Sequence, residues 1–181
     1  MNGAKAGVRG SLLLSNKGLV KKMGRTLSME QTNMCMILDP TTNRVVVQKR
    51  EKYWTGYAFP GGHVEVGESY YDSTVREVKE ETGLNVQNLK ICGMIHWDCL
   101  DDGEQYLVYL YRTTDFSGEL FERTEEGSVF WMDLNELQNQ PDEKLCPYFR
   151  TYLRLFLDDT IFEAHATYSN QNNDEKPFEF R

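Results

Sequence analysis

From Thr32 onward the chain alternates short apolar runs with turn-forming residues. Residues 34–38 are apolar, Asp39-Pro40 opens a turn, and the Val-rich stretch 44–48 follows after an Asn-containing loop, which predicts two adjacent strands. Residues 54–57 and 59–62 then read as a loop punctuated by Gly and Pro. The spacing predicts a helix over 69–82, capped by Ser69 with Asp72 three positions on and stopped by Gly83. Further β-rich runs are 89–97, 105–112 and 128–132, separated by Asp101-Asp102-Gly103 and Ser117-Gly118. A second amphipathic helix is expected over 147–159, with Tyr148, Tyr152, Leu155 and Phe156 at helical spacing. Residues 135–142 read as a polar loop and 169–181 as a polar, mobile end in which Phe178 and Phe180 could still dock. This order of strands and helices predicts an α+β domain with a mixed sheet.

Charge divides the chain unevenly. The formal net charge is −8, yet residues 1–28 carry six basic residues and no acid, leaving 14 basic against 28 acidic residues in the rest. The expected organisation is a disordered basic extension over 1–28, a domain over 29–165 and a polar C-terminal tail over 166–181. An alternative for the first segment is a start placed too early, with Met29 as the natural beginning. The acidic body argues against a protein that holds duplex nucleic acid by neutralising its phosphates. No apolar run reaches the ~20 residues of a membrane-spanning helix, and no targeting signal stands out, so the cytoplasm is the default expectation. Cys35, Cys92, Cys99 and Cys146 lack a CxxC spacing and read as reduced thiols.

The helix over 69–82 carries the chemistry. Glu77, Glu80 and Glu81 stand at i, i+3 and i+4, which puts three carboxylates on one face. Tyr71, Val75, Val78 and Thr82 lie nearly opposite and suit packing on a sheet. Like charges at this spacing repel, and a face built only for stability would intersperse lysines. Mg²⁺ is a hard cation that takes oxygen ligands and shares carboxylates with substrate phosphates. Three glutamates alone would also suit a solvated acidic face, so the surrounding residues decide between the readings. Gly62, Glu68, Arg76, Glu77, Val78, Glu80, Glu81, Gly83 and Leu84 fit the pattern G-x5-E-x7-R-E-U-x-E-E-x-G-U without a departure, U being bulky and aliphatic. A chance match is on the order of one in a million.

This segment resembles the Nudix box, the signature of hydrolases that cut nucleoside diphosphates linked to another moiety. The resemblance implies a Nudix-like α/β/α sandwich, with Glu77, Glu80, Glu81 and the Gly61 carbonyl as ligands of Mg²⁺, or of Mn²⁺, which suits the same oxygens. It implies that Arg76 and Glu68 pair to hold the loop and orient those glutamates. The general base in such enzymes is a box glutamate such as Glu80 or an acid on a loop before a late strand. Glu126 occupies that loop position here, with Glu125 next to it. Candidate aromatics for stacking on a nucleobase are Trp54, Tyr57, Phe59, Trp97 and Tyr106, of which Trp54 and Phe59 are the expected substrate-binding pair.

The stretches WTGYAFPGGHVEVGES and DFSGEL…EEGSVFWM resemble MutT-type members, which implies hydrolysis of a nucleoside triphosphate such as 8-oxo-dGTP to the monophosphate and pyrophosphate. ADP-ribose, dinucleoside polyphosphates, capped RNA ends and a non-catalytic binding module remain alternative readings. A nucleotide is the expected partner, and exposed strands are compatible with a homodimer.

Overall fold

Strand β1 (Met29–Asp39) divides its edge between two neighbours. Residues 29–37 pair in parallel with β6 (Gln105–Thr113), whereas only Leu38 and Asp39 pair with β2 (Arg44–Arg50), antiparallel. β1 and β2 therefore splay apart at their far ends. The loop that follows β3 (Gly56–Ala58) fills the gap. Its backbone bonds to β1, with Asn33 N donating to Gly62 O at 2.9 Å and Cys35 N to Pro60 O at 2.8 Å.

The computed structural model describes residues 28–169, 171 and 174–181, so the basic extension expected over 1–28 lies, Ser28 apart, outside the described residues. Helix α1 (Tyr70–Thr82) follows the loop, with β4 (Asn85–Gln87) and β5 (Lys90–Cys99) after it. After β6 come β7 (Asp115–Ser117), β8 (Gly127–Asp133), the short helix α2 (Leu134–Gln138) and a 3-10 turn (Asp142–Lys144). Helix α3 (Phe149–Leu157), β9 (Glu163–Ser169), β10 (Asp174–Glu175) and β11 (Glu179–Phe180) complete the chain. The sheet order is β10-β9-β5-β6-β1-β2-β3, with β8 on β2 and β11 on β9; β4 and β7 form a separate pair. Two pairings, β1–β6 and β5–β9, are parallel, so the sheet is mixed and the fold is the expected α+β sandwich.

Alternation along the strands builds a core on each face of the sheet. Cys35, Ile37 and Val46 point to one side, where Val78 of α1 joins Leu84, Val86 and Val129. Met36, Val45, Val47, Ile95 and Trp97 point to the other, against Phe149, Tyr152, Leu153, Leu155 and Phe156 of α3 and its neighbours. The expected helix caps are present: the Ser69 side chain accepts from Asp72 N, and Gly83 turns left-handed at φ 79°. All four cysteines are buried free thiols.

Three expectations are corrected. Residues 135–142 are no open loop, because Asp133 accepts hydrogen bonds from Asn135 N and Glu136 N and so starts α2. Tyr71 does not pack on the sheet; it is exposed, and Ser73 and Thr74 are buried instead. The stretch 169–181, expected to be mobile, is paired to the sheet in its described residues. β9 lies in register on β5, β10 and β11 pair with β9, and the Phe178 ring sits 5.3 Å from Trp97 and 5.6 Å from Tyr148. Its two phenylalanines pack against the core, and the Arg154 guanidinium lies over the Phe180 ring at 3.9 Å.

Candidate active site

Arg76 is the hub of the site. Its Nε and Nη2 donate to Glu68 Oε1 and Oε2 at 2.7 and 2.8 Å, a two-pronged pair that staples the loop to the helix. Nη2 also reaches the His63 carbonyl at 3.0 Å, and Nη1 reaches Glu77 Oε1 at 2.8 Å and Glu80 Oε2 at 3.1 Å. Buried Ser73 ties the same loop further, donating to His63 O and accepting from Asn33 Nδ2, each at 3.0 Å. The Arg76 bond holds the Glu68 carboxyl down at about 2.

Glycine allows the loop to come this close. A Cβ on Gly61 (φ 156°) would stand 2.2 Å from the Asn33 carbonyl oxygen, and one on Gly62 would stand 2.6 Å from the Glu77 carboxyl carbon. Gly61 N donates to Glu81 Oε2 at 2.8 Å. Glu81 faces inward and is only 8% exposed, whereas the Glu80 side chain is 59% exposed. Burial pushes the Glu81 carboxyl up to about 8. The Gly61 N–H opposes the shift, the charges of Glu126 and Glu77 add to it, and Arg50 offsets part of it. Glu77 is also raised, chiefly by burial.

The donor set fits a hard divalent cation: Glu77, Glu80 and Glu81 offer carboxylate oxygens beside the Gly61 backbone, with no sulfur or imidazole among them. A cation there would also relieve the repulsion that Glu77 and Glu126 impose on buried Glu81.

Glu126 precedes β8 and pairs with Arg50 Nη2 at 2.9 Å. Both residues line an open cleft of about 540 Å³ with Glu30, His63, Trp54 and Tyr106. Trp54 and Tyr106 continue into an aromatic pocket of about 250 Å³, completed by Trp97, Tyr148 and Tyr168. Trp54 is 55% exposed, and both it and Tyr53 hold left-handed backbone, φ 53° and 31°, at the end of β2. The structure thus brings Trp54 to the cleft. Phe59 is a correction: it is 1% exposed and packs edge-on against Phe149 and Phe156 at 5.0 and 5.2 Å, so its ring cannot stack on a ligand. The sequence assigns no site role to Arg50, Tyr148 or Tyr168. Arg50 had a signal, as a basic residue ending a β-run in an acidic body, while the two tyrosines had none.

A carboxylate helix stapled to a glycine loop at the splay of a mixed sheet is an arrangement suited to holding a divalent cation beside a phosphate-bearing substrate. The sequence model of the NUDIX domain matches residues 29–154, and the chain belongs to the Nudix hydrolase family, whose members act on nucleoside diphosphates linked to another moiety. It is 30% identical over 109 residues to an uncharacterized Nudix hydrolase, YvcI, of Bacillus subtilis (strain 168), covering 58% of this chain and 67% of that one. It is 31% identical over 84 residues to an oxidized purine nucleoside triphosphate hydrolase of Danio rerio, covering 46% of this chain and 51% of that one. Other relatives are named for different substrates, among them an ADP-ribose pyrophosphatase and RNA-cap hydrolases. The fold is similar to a crystal structure of a MutT protein from Bacillus halodurans, with a TM-score of 0.68 at 20% identity over 83% of this chain and 97% of that one. Among the described residues no helix is long and apolar enough to cross a membrane.

Proposed function

We propose that this protein hydrolyses nucleoside triphosphates, 8-oxo-dGTP first among them, to the monophosphate and pyrophosphate. One observation carries the reading: the cleft beside the carboxylate helix opens, through Trp54 and Tyr106, into a pocket walled by aromatic rings. Such a pocket suits a flat nucleobase, and the acidic end of the cleft suits phosphates bridged by a cation. The name of the zebrafish relative, an oxidized purine nucleoside triphosphate hydrolase, supports the triphosphate reading.

In this reading Glu77, Glu80, Glu81 and the Gly61 carbonyl hold Mg²⁺ or Mn²⁺. Bound there, the cation polarises phosphate oxygens and offsets the charge that develops on them. Arg76 and Glu68 keep the glutamates in place. Trp54, with Tyr106, stacks on the base. Glu126 takes a proton from the attacking water as its oxygen bonds to the α-phosphorus; the bond from that phosphorus to the bridging oxygen breaks, and pyrophosphate leaves. Arg50 positions Glu126 through their ion pair.

The test is a panel of 8-oxo-dGTP, dGTP, the other common triphosphates, ADP-ribose and diadenosine polyphosphates, each incubated with Mg²⁺ and resolved by chromatography. The expected result is highest kcat/KM for 8-oxo-dGTP with pyrophosphate as product. Preference for ADP-ribose or a dinucleotide would overturn the substrate assignment.

A further inference from the structure

A second cluster of metal-ligating side chains stands on the other arm of the sheet. β5 and β9 run parallel with His96 directly opposite His165, so the two imidazoles emerge side by side, ring centroids 5.2 Å apart. Asp98 is two residues along β5 and shares their face. Its Oδ2 lies 2.8 Å from His165 Nε2 and its Oδ1 3.4 Å from His96 Nε2. One ligand atom from each of the three can be chosen so that all lie within 4.8 Å of one another. Two ligand atoms of a tetrahedral zinc ion, each about 2.0–2.1 Å from the metal, stand about 3.3 Å apart. The spacing is thus near that of a filled site, and small side-chain rotations would complete it.

The surroundings match those of a metal site. Gln105, opposite Asp98 on β6, donates to Asp98 Oδ1 at 2.7 Å, and its Nε2 also lies 3.3 Å from His96 Nε2, so the amide holds these two side chains together and would turn aside from an ion between them. The three side chains are 22–35% exposed, which leaves a fourth position open to solvent. The chemistry differs from that of the carboxylate helix: two imidazoles and one carboxylate favour a borderline cation such as Zn²⁺ over Mg²⁺. The residues also differ, since none of the three belongs to the Nudix box or to the cleft. His96 and His165 are two of the three histidines in the chain, and the four cysteines are buried.

We propose that His96, Asp98 and His165 form a second, independent cation site that takes Zn²⁺ and clamps β9, with the C-terminal strands paired to it, onto β5. The clamp has something to hold. Between the ligands, Trp97 points to the opposite face and lines the aromatic pocket together with Tyr168 of β9, so the two strands that the metal would join are two walls of that pocket.

The experiment uses the full chain, stripped of metals by chelation and dialysis and carrying Glu77→Gln and Glu80→Gln so that the carboxylate helix competes less for the probe. Calorimetric titration with Zn²⁺ is expected to give one equivalent bound at about micromolar Kd or tighter, accompanied by a rise in Tm. Asp98→Asn or His165→Gln in that background is expected to weaken binding at least about 100-fold. Zinc that binds these variants as tightly, or that fails to bind the parent, overturns the proposal. A second measurement needs no variant at this cluster. Modification by diethyl pyrocarbonate, mapped by mass spectrometry, is expected to spare His96 and His165 when Zn²⁺ is present and to leave exposed His63 reactive. Equal modification of His96 and His165 with and without zinc contradicts the site.

Discussion

Glu81 sets chemistry against stability. Its carboxyl ionises near 4.5 in the unfolded chain and is pushed by burial to about 8 in the folded, metal-free protein. Between these values the unfolded state has released its proton and the folded state has not, so the unfolded state binds fewer protons and stability falls as pH rises from about 4.5 to about 8. Glu81→Gln removes this penalty. The metal-free variant is expected to be about 1–3 kcal/mol more stable than the wild type at the alkaline end of the window, and the gain is expected to vanish at the acidic end. Urea unfolding across that range checks it; a gain independent of pH would contradict the assignment. The motif identified Glu81, but helical periodicity places it only on a face. Its burial follows from the Gly61 loop folding over it, a contact across twenty positions that no local pattern records. Phe59 was misread for the complementary reason. It lies next to the glycine loop in sequence, yet its ring turns between Phe149 and Phe156 of a distant helix.

The loop and α1 act as one element through Arg76. A lysine there would keep the charge but lose the fork that grips both Glu68 oxygens while touching Glu77 and Glu80. Arg76→Lys is therefore expected to lower turnover roughly 10- to 100-fold and to raise the Mg²⁺ concentration needed for half-maximal rate. Steady-state kinetics over a Mg²⁺ series decide this, and a rate within twofold of wild type at every concentration would show that the staple does not position the glutamates. Helix α1 was legible down to its caps, because Ser69, Asp72 and Gly83 act locally. The first half of β1 and strands β9 to β11 were not. They pair with partners far along the chain, two of the pairings are parallel and so lack a hairpin turn, and their residues alternate weakly.

At the scale of the molecule, both the family and the reaction class were readable from one helix and its loop, whereas the pocket was not. Its rings arrive from separate places: Trp54 after β2, Trp97 on β5, Tyr106 on β6, Tyr148 before α3 and Tyr168 on β9. Only the fold assembles them, and the C-terminal strands close the assembly by setting Phe178 against Trp97 and Tyr148. Phe178→Ala is expected to destabilise the protein by about 1–3 kcal/mol, less than a fully buried phenylalanine would cost, and to raise KM more than it lowers kcat. Denaturant unfolding paired with kinetics checks both halves; unchanged stability would mean that the C-terminal strands do not close the pocket.

The carboxylates of α1, of which Glu80 is the exposed one, are proposed to carry metal-dependent hydrolysis. The most direct measurement compares pyrophosphate release from 8-oxo-dGTP and dGTP by the wild type and by Glu80→Gln under saturating Mg²⁺, with Tm recorded for both proteins. Glu80 faces solvent and its main protein contact is Arg76 at 3.1 Å, so the fold should tolerate the change. The expected result is turnover by the wild type, a fall of more than roughly 100-fold in the variant, and a Tm within a few degrees of the parent. Near-wild-type turnover by a folded Glu80→Gln protein would contradict it.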